Sequence, residues 1–373
     1  MSVDAIFNAH DWALVPFHFW SLVFFVFGCI VGSFLNVCIY RLPLDMSIVT
    51  PKSHCPHCKY SIPWYLNIPL VTWLALRGRC KNCGAPISAR YFIVELLSGV
   101  AFLGCWLEFG NPVHPFQSMP VALVYAVFLA GLIVATFIDV EHFIIPDEIT
   151  LGGVVAGVVA SFLLPSLHDA HTLTAGMLQS LLGVVVGAGV IYIVLRLGKL
   201  LFGRERLRLP TETKIVFSET AVCLPDKEIP YDELFYRKSD VIVLHARTVE
   251  LVDRGYKDVM VRLSPSLLEI GDEKIDPTDV RHIEAVSAEI VLPREAMGFG
   301  DVKFMGAIGA FIGWQGVLFS LMISSMIGAA VGVTLIVMRR REWSSKIPYG
   351  PYIALAAAIW IFGGKEFFFG LFH

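Results

Sequence analysis

Apolar stretches long enough to cross a bilayer alternate along the chain with short polar segments, and one long interval breaks the alternation. Read as membrane-crossing helices, the apolar stretches fall near 17–39, 91–109, 121–138, 149–165, 176–197, 302–317, 318–338 and 351–370. About twenty residues at 1.5 Å per residue cover the hydrocarbon, so the pattern predicts an α-helical polytopic membrane protein with about eight transmembrane helices. The exception is 204–295, where "DVIVLHARTVELV", "DVMVRLSPSLLEI" and "AEIVLP" alternate apolar and polar residues between Asp, Gly, Pro and Ser. A period of two rich in Val and Ile predicts short strands, hence a small β-rich domain with a modest core. Within it, "LPDKEIPYDELFYRKSD" is dense in Pro and charge and predicts a loop or short helix.

Composition agrees: 56% of residues are hydrophobic and 16% charged, with a mean hydropathy of +0.67. The net charge of −3 argues little, but the basic residues sit in clusters between apolar runs and not on one face, which speaks against nucleic acid as a partner. The clusters do set orientation. Arg41, Lys52, Lys59, Arg77, Arg79, Lys81 and Arg90 lie between the first two spans, "RLGKLLFGRERLR" follows the fifth and "RRRE" the seventh, whereas "NPVHPFQSM" and "LPSLHDAHTL" hold no Lys or Arg. The positive-inside rule then puts odd-numbered gaps in the cytoplasm and the N-terminus outside. The opening "MSVDAIFNAHDW" has no Lys or Arg, unlike a cleavable signal peptide, so the first span is expected to remain as an anchor.

This threading brings two distant carboxylates to one depth. Asp139, in "TFIDVEHFIIPDEIT", ends the third span, and Asp301, in "GFGDVKFMGAIGAFIG", begins the sixth, both on the cytoplasmic side. A carboxylate at the edge of hydrocarbon is costly and marks a functional site by default. Two that meet share a proton, one as base toward water and one as acid toward a carbonyl, which is aspartyl protease chemistry. The plainer readings are a headgroup-level charge for Asp139 and a helix cap for Asp301. Glu141 and Asp147 compete as partners, although Asp147, after Pro146, reads as the cap of the fourth span. Glu141, Asp147 and Glu148 also form a candidate acidic patch for a basic ligand, with a rate expected to fall as salt rises.

"CPHC" at Cys55–Cys58 and "CKNC" at Cys80–Cys83 supply four thiolates at nearly zinc-ribbon spacing. Disulfides are the rival reading, but a cytoplasmic loop is reducing. The site reads as structural zinc, with no open catalytic position, and His54 and His57 as bystanders. Cys29, Cys38, Cys105 and Cys223 follow no pairing pattern.

"GCIVGSFLNVCIYRLP" (28–43), both Cys-x-x-Cys pairs, "RYFIVELLSG" (90–99), "IDVEHFIIPDEIT" (138–150), "GFGDVKFMGAIGAFIG" (298–313) and "IPYGPYIALAA" (347–357) occur together and in order. In this they resemble the bacterial type IV prepilin peptidases over roughly three quarters of the chain. The resemblance implies a multi-pass enzyme of the bacterial inner membrane with its active site at the cytoplasmic face. Such an enzyme cleaves the leader of type IV prepilins and type II secretion pseudopilins, then methylates the new N-terminus with S-adenosylmethionine. It also implies that Asp139 and Asp301 are catalytic, the same pair that topology selects. For the methyl transfer it implies Gly32, Ser33, Asn36, Arg41, Pro43 and Glu95. No Gly-x-Gly-x-x-Gly signature is present, and spacing alone suggests no methyltransferase.

The expected organisation is an N-terminal transmembrane helix (1–40), a cytoplasmic zinc-binding loop (41–90), helices carrying the first aspartate (91–203), the β-rich insert (204–295) and helices carrying Gly-x-Gly-Asp (296–373). The insert stands where the resembled family has a short loop. It carries no catalytic constellation, and the alternatives are a spacer or stabilising decoration, a dock for a pilus-assembly partner, or a restriction on access to Asp301. Other readings of the whole chain are a peptidase without methylation and a non-enzymatic scaffold or transporter. Transporters set their acids near mid-membrane and show repeats, which this chain does not.

Overall fold

The computed structural model describes residues 16–225, 227–231, 234–235, 240–251, 254–277, 280, 282–293, 298–338 and 348–370. The acidic N-terminal segment and the "RRRE" cluster used above for orientation lie outside them. Helix α1 (Phe17–Arg41) runs into a loop that holds one short helix, α2 (Val71–Ala75). It is followed by α3 (Ala89–Phe109), α4 (Pro115–His142), α5 (Asp147–Leu163) and α6 (Leu173–Phe202). After the insert come α7 (Phe299–Val337), α8 (Gly350–Ile359) and, beyond a π-helical turn at Trp360–Gly364, α9 (Lys365–Gly370). Ser88 caps α3 through the Arg90 N–H, and Phe143, at φ 55°, ends α4 with its N–H on the Asp139 carbonyl.

Among the described residues six helices are long and apolar enough to cross a membrane. Helix α5 has 17 residues, and the 39-residue α7 is two arms joined at Gly313, which has φ 71° and ψ 176°. The boundary read at 317/318 therefore moves to 313. The chain reverses there. Lys303 of the first arm pairs with Asp147 at the start of α5. A Cβ on Gly313 would lie 3.3 Å from His168 Nδ1, beyond the far end of α5. In the second arm Ser324 returns to hydrogen-bond Tyr349, at the start of α8, at 2.8 Å.

Reversing a helix orphans its last carbonyls. Ala310 O accepts from Ser161 Oγ at 3.2 Å and Ser180 Oγ at 2.8 Å, and Ser161 Oγ also meets His168 Nε2 at 2.8 Å. Helices α5 and α6 approach the first arm through glycines. A Cβ on Gly157 would meet Ala310 Cβ at 2.6 Å, and one on Gly183 would meet Gly309 O at 2.0 Å. Only small residues permit such backbone approach.

The chain falls into two compact units, one of residues up to Ile191 with those from Phe299 onward, the other Tyr192–Gly298. The second is the insert together with the C-terminal end of α6. Its strands β1 (Arg204–Phe217), β2 (Ala221–Leu224), β3 (Lys227–Pro230), β4 (Ile242–Glu250), β5 (Gly255–Ser264), β6 (Leu267–Ile270), β7 (Glu273–Ile275) and β8 (Ile283–Pro293) form one sheet in the order β3-β2-β1-β8-β4-β5-β6-β7. Neighbours are antiparallel, and a bulge between Arg208 and Thr213 interrupts the β1–β8 ladder. Inward residues such as Ile215, Phe217, Leu244, Leu268 and Ile290 make a core. Asp240 is buried but paired with Lys199 at 2.7 Å. Two readings are corrected. Residues 227–230, expected in a loop, form β3 because they pair with β2, and β1 went unread because its alternate arginines resemble a membrane-flanking basic cluster.

Candidate active site

Helix α4 delivers Asp139 at its C-terminal end, where the apolar run gives way to "DVEH" and the left-handed Phe143 turns the chain toward Pro146 and α5. The carboxylate is buried, and its Oδ2 accepts the Gly350 N–H at 2.9 Å. That N–H opens α8 and has no partner inside its own helix. Glycine is required at 350, because a Cβ there would lie 2.7 Å from Asp139 Oδ2. Asp301 stands in the first turn of α7, buried as well.

Ile145 joins the two. A Cβ on Gly300 would come within 3.5 Å of the Ile145 Cβ, and one on Gly350 within 3.3 Å of Ile145 Cδ1. Asp139 and the Gly-x-Gly-Asp turn thus border one buried side chain, from the C-terminal end of one helix and the N-terminal end of another. Surface charges pin the same end of the bundle. Arg90, opening α3, holds both oxygens of Glu141 at 2.5 and 2.7 Å, and Lys303 holds Asp147. Asp147 is therefore not the cap expected of it. Pro146 occupies that position, and the carboxylate turns to Lys303 instead. With Glu141 and Asp147 paired, the expected acidic patch reduces to the exposed Glu148.

The residues expected for methyl transfer lie elsewhere in the same unit, around the crossing of α1 and α3. A Cβ on Gly32 would sit 2.7 Å from the Glu95 Cα, so the helices touch there. Glu95 is 8% exposed and its Oε2 accepts the Leu70 N–H at 2.7 Å, with the Ser33 hydroxyl also bonded to it. Asn36, 1% exposed, donates to Gly32 O and Tyr91 O, while its Oδ1 has no partner. Arg41 is committed to the loop, donating to Ser47 O at 2.8 Å and Pro51 O at 2.6 Å, and Pro43 forms the 3₁₀ turn that starts it. Sequence reading missed Gly350, Lys303 and Leu70. "IPYGP" was visible as a motif, but its partner lies 211 positions away.

In the loop, Cys55, Cys58, Cys80 and Cys83 bring their sulfurs within 4.8 Å of one another, with Cys55–Cys83 at 3.9 Å and Cys58–Cys80 at 4.0 Å. Sulfurs about 2.3 Å from one tetrahedral zinc would stand about 3.8 Å apart, so the four fit a single ion such as zinc. The two knuckles match: Lys59 N–H bonds Cys55 O and Gly84 N–H bonds Cys80 O, with Lys59 and Gly84 both at positive φ. The Asn82 amide bonded to Cys58, together with the Tyr60 backbone, draws that thiol down to about 6, a thiolate at neutral pH. His54 hydrogen-bonds the Lys52 carbonyl and is not in the cluster.

Residues 26–109 match the family described as bacterial peptidase A24 N-terminal domain, and residues 126–207 and 282–333 match the type IV leader peptidase family. A type 4 prepilin-like proteins leader peptide-processing enzyme of Escherichia coli O78:H11 is 36% identical over 201 residues, 48% of this chain and 68% of that protein. The chain belongs to the type IV leader peptidase family. A prepilin leader peptidase/N-methyltransferase of Myxococcus xanthus is 43% identical over 187 residues, half of this chain and 51% of that protein's length. One of Aeromonas hydrophila is 28% identical over 380 residues, 94% of this chain and 93% of its own. No solved structure matches. The interval between the two leader-peptidase segments, 208–281, lies inside the β-sheet unit.

Proposed function

We propose that this leader peptidase is a membrane aspartyl endopeptidase that removes the leader of type IV prepilins and type II secretion pseudopilins, then methylates the new N-terminus. The observation that carries the reading is the convergence of buried Asp139 and the Asp301 turn on Ile145 at one end of the helical bundle. A prepilin keeps its basic leader in the cytoplasm and its apolar helix in lipid, so its scissile bond lies at the membrane surface, the level of these helix ends.

In the mechanism, one aspartate takes a proton from water while the water oxygen bonds to the scissile carbonyl carbon. The other gives its proton to the carbonyl oxygen. Collapse of the tetrahedral adduct breaks the C–N bond, and the leaving nitrogen takes the proton held by the first aspartate. In this reading the chain crosses the inner membrane eight times with its N-terminus outside, counting α5 and both arms of α7, and the aspartates face the cytoplasm. Zinc on the four cysteines folds the loop, which has little core of its own.

S-adenosylmethionine supplies the methyl group as an electrophilic carbon on a positively charged sulfur. The α1–α3 crossing suits a cationic ligand, because Glu95 and Asn36 present buried acceptors there. Gly32 lets the helices close, Ser33 orients Glu95, and Arg41 and Pro43 fix the loop that lies over them. The insert, tethered directly to Asp301 through α7, docks a pilus-assembly partner; replacing 205–294 with a short linker should leave cleavage intact and impair pilus assembly, and normal assembly would refute docking.

The direct test is cleavage of a purified prepilin by the detergent-solubilised protein and by Asp139→Asn and Asp301→Asn, with mass spectrometry of the product. Each variant should lose about a hundred- to ten-thousandfold in rate, and the parent should add one methyl group only when the donor is supplied. Parental rates in either variant would overturn the pair.

A further inference from the structure

Glu95 is out of place by the usual rules. A buried carboxylate is ordinarily paired with a cation, yet among the described residues no Lys, Arg or His pairs with it. Its bonds come from the Leu70 N–H and the Ser33 hydroxyl. An ionised carboxylate offers about four acceptor positions, so about two remain, and the unpartnered Asn36 Oδ1 adds more. The helices cross antiparallel, with Gly32 against the Glu95 backbone and Asn36 Nδ2 on Tyr91 O, so Asn36 and Glu95 stand one helical turn apart along the same seam. The crossing is thus rich in acceptors and short of donors.

The cover over it is strained. Leu70 has φ 60° and ψ −52°, and Val71 N–H bonds Pro69 O at 2.6 Å, the rare γ-turn of positive φ. A leucine held in that conformation is over-determined by its surroundings, here by the bond to Glu95 at 2.7 Å. Depth fits too. The Arg90–Glu141 pair joins the ends of α3 and α4. Glu95 lies about 7.5 Å along α3 from Arg90, and Asp139 about 3 Å along α4 from Glu141. Measured along the helices from that pair, the two carboxylates therefore differ by about 4.5 Å.

We propose that Glu95 and Asn36 form a cradle for a primary ammonium, that of the pilin N-terminus released at Asp139 and Asp301, under the Leu70 turn. This rests on the methylation reading above. The three N–H donors of the ammonium fill the vacant acceptors, and one of its protons passes from nitrogen to a Glu95 oxygen, leaving a neutral amine whose lone pair is free for the methyl carbon. A sulfonium, which has no N–H, leaves the acceptors unfilled. The donor's own amino-acid ammonium has the same chemistry as the peptide's, and the binding experiment separates them.

Binding to the intact, detergent-solubilised protein is measured for a synthetic peptide with a mature pilin N-terminus, for its N-acetylated form, and for S-adenosylhomocysteine. At pH 7 the parent should hold the free amine roughly ten- to a hundredfold more tightly than the acetylated peptide. The preference should shrink by pH 9, where an α-amine of pKa about 8 is neutral. Glu95→Gln should erase the preference, and Glu95→Asp, which keeps the charge, should restore part of it and guard against misfolding. If Glu95→Gln keeps the peptide preference but loses S-adenosylhomocysteine, the pilin N-terminus is refuted as the occupant and the acceptors serve the donor's ammonium. If both ligands bind Glu95→Gln as they bind the parent, the cradle is refuted. Methylation by the parent is scored separately: its absence with the amine preference intact sinks the methylation reading and leaves the ammonium site.

Discussion

Two glycine-built seams hold the helical unit together, and they differ in what they admit. Between α6 and α7 the contact is backbone on backbone: a Cβ on Gly183 would meet Gly309 O at 2.0 Å, and one on Gly187 would meet Met305 O at 2.4 Å. Between α1 and α3 the glycines face side chains as well, Gly28 against Phe102 Cβ at 2.7 Å and Gly99 against Cys29 Sγ at 2.5 Å. The first seam excludes side chains, so its carboxylate, Asp301, stands at the helix end. The second keeps room for Ser33, Asn36 and Glu95 within the crossing. Close packing thus fixes one site from outside and encloses the other.

The sharpest way to break the comparison is Gly183→Ala, which forces a methyl onto a carbonyl that cannot move without its helix. The cost should exceed the about 1–3 kcal/mol typical of overpacking, and no folded protein should be recovered from membranes. Gly131→Ala, with nothing within 4 Å, is the neutral control. Recovery of Gly183→Ala with the parental thermal midpoint would mean the seam is looser than described.

Metal removal comes next. A chelator should expose 45–88 to limited proteolysis while leaving the helices from α4 onward protected, because structural zinc is folding free energy for the loop that carries it. Loss of protection everywhere would tie the loop to the whole bundle.

Ser161→Ala and Ser180→Ala each remove one of the two hydroxyls on Ala310 O. Each should cost about 1 kcal/mol, read as thermal stability in detergent, and the double variant about the sum, because the His168 ring also hydrogen-bonds the Ala310 carbonyl and keeps it paired. A cost well above the sum would mean that His168 does not serve that carbonyl.

The smallest effect concerns salt. With Glu141 on Arg90 and Asp147 on Lys303, only Glu148 is left to steer a basic leader, and Glu148→Gln should change the cleavage rate by less than about twofold. A steep fall in rate with ionic strength would return the acidic patch to the mechanism.

Much of this was legible in the sequence, for a physical reason: a bilayer imposes length and apolarity on every helix that crosses it, so the spans, and the aspartates at their ends, stand out against lipid. Strands β4, β5, β6 and β8 were legible by their period of two. What was hidden depended on partners remote in sequence. The counterion Arg90 reads as a topology signal until Glu141 is found, and Lys303 carries no signal until Asp147 is. The reversal at Gly313 is one of several glycines in "GAIGAFIGWQG", and what distinguishes it is the pair of serines, from two other helices, that donate to the freed Ala310 carbonyl.

The reversal bears on the surrounding lipid. The first arm of α7, residues 299–312, is about 21 Å long, and α5, with 17 residues, about 26 Å. In the proposed eight-span threading both fall short of a hydrocarbon layer about 30 Å thick, and a bilayer meets such helices by thinning around them. A substrate helix arriving beside Asp301 would then sit in the thinnest lipid near the protein, with its junction drawn out of hydrocarbon before any carboxylate touches it.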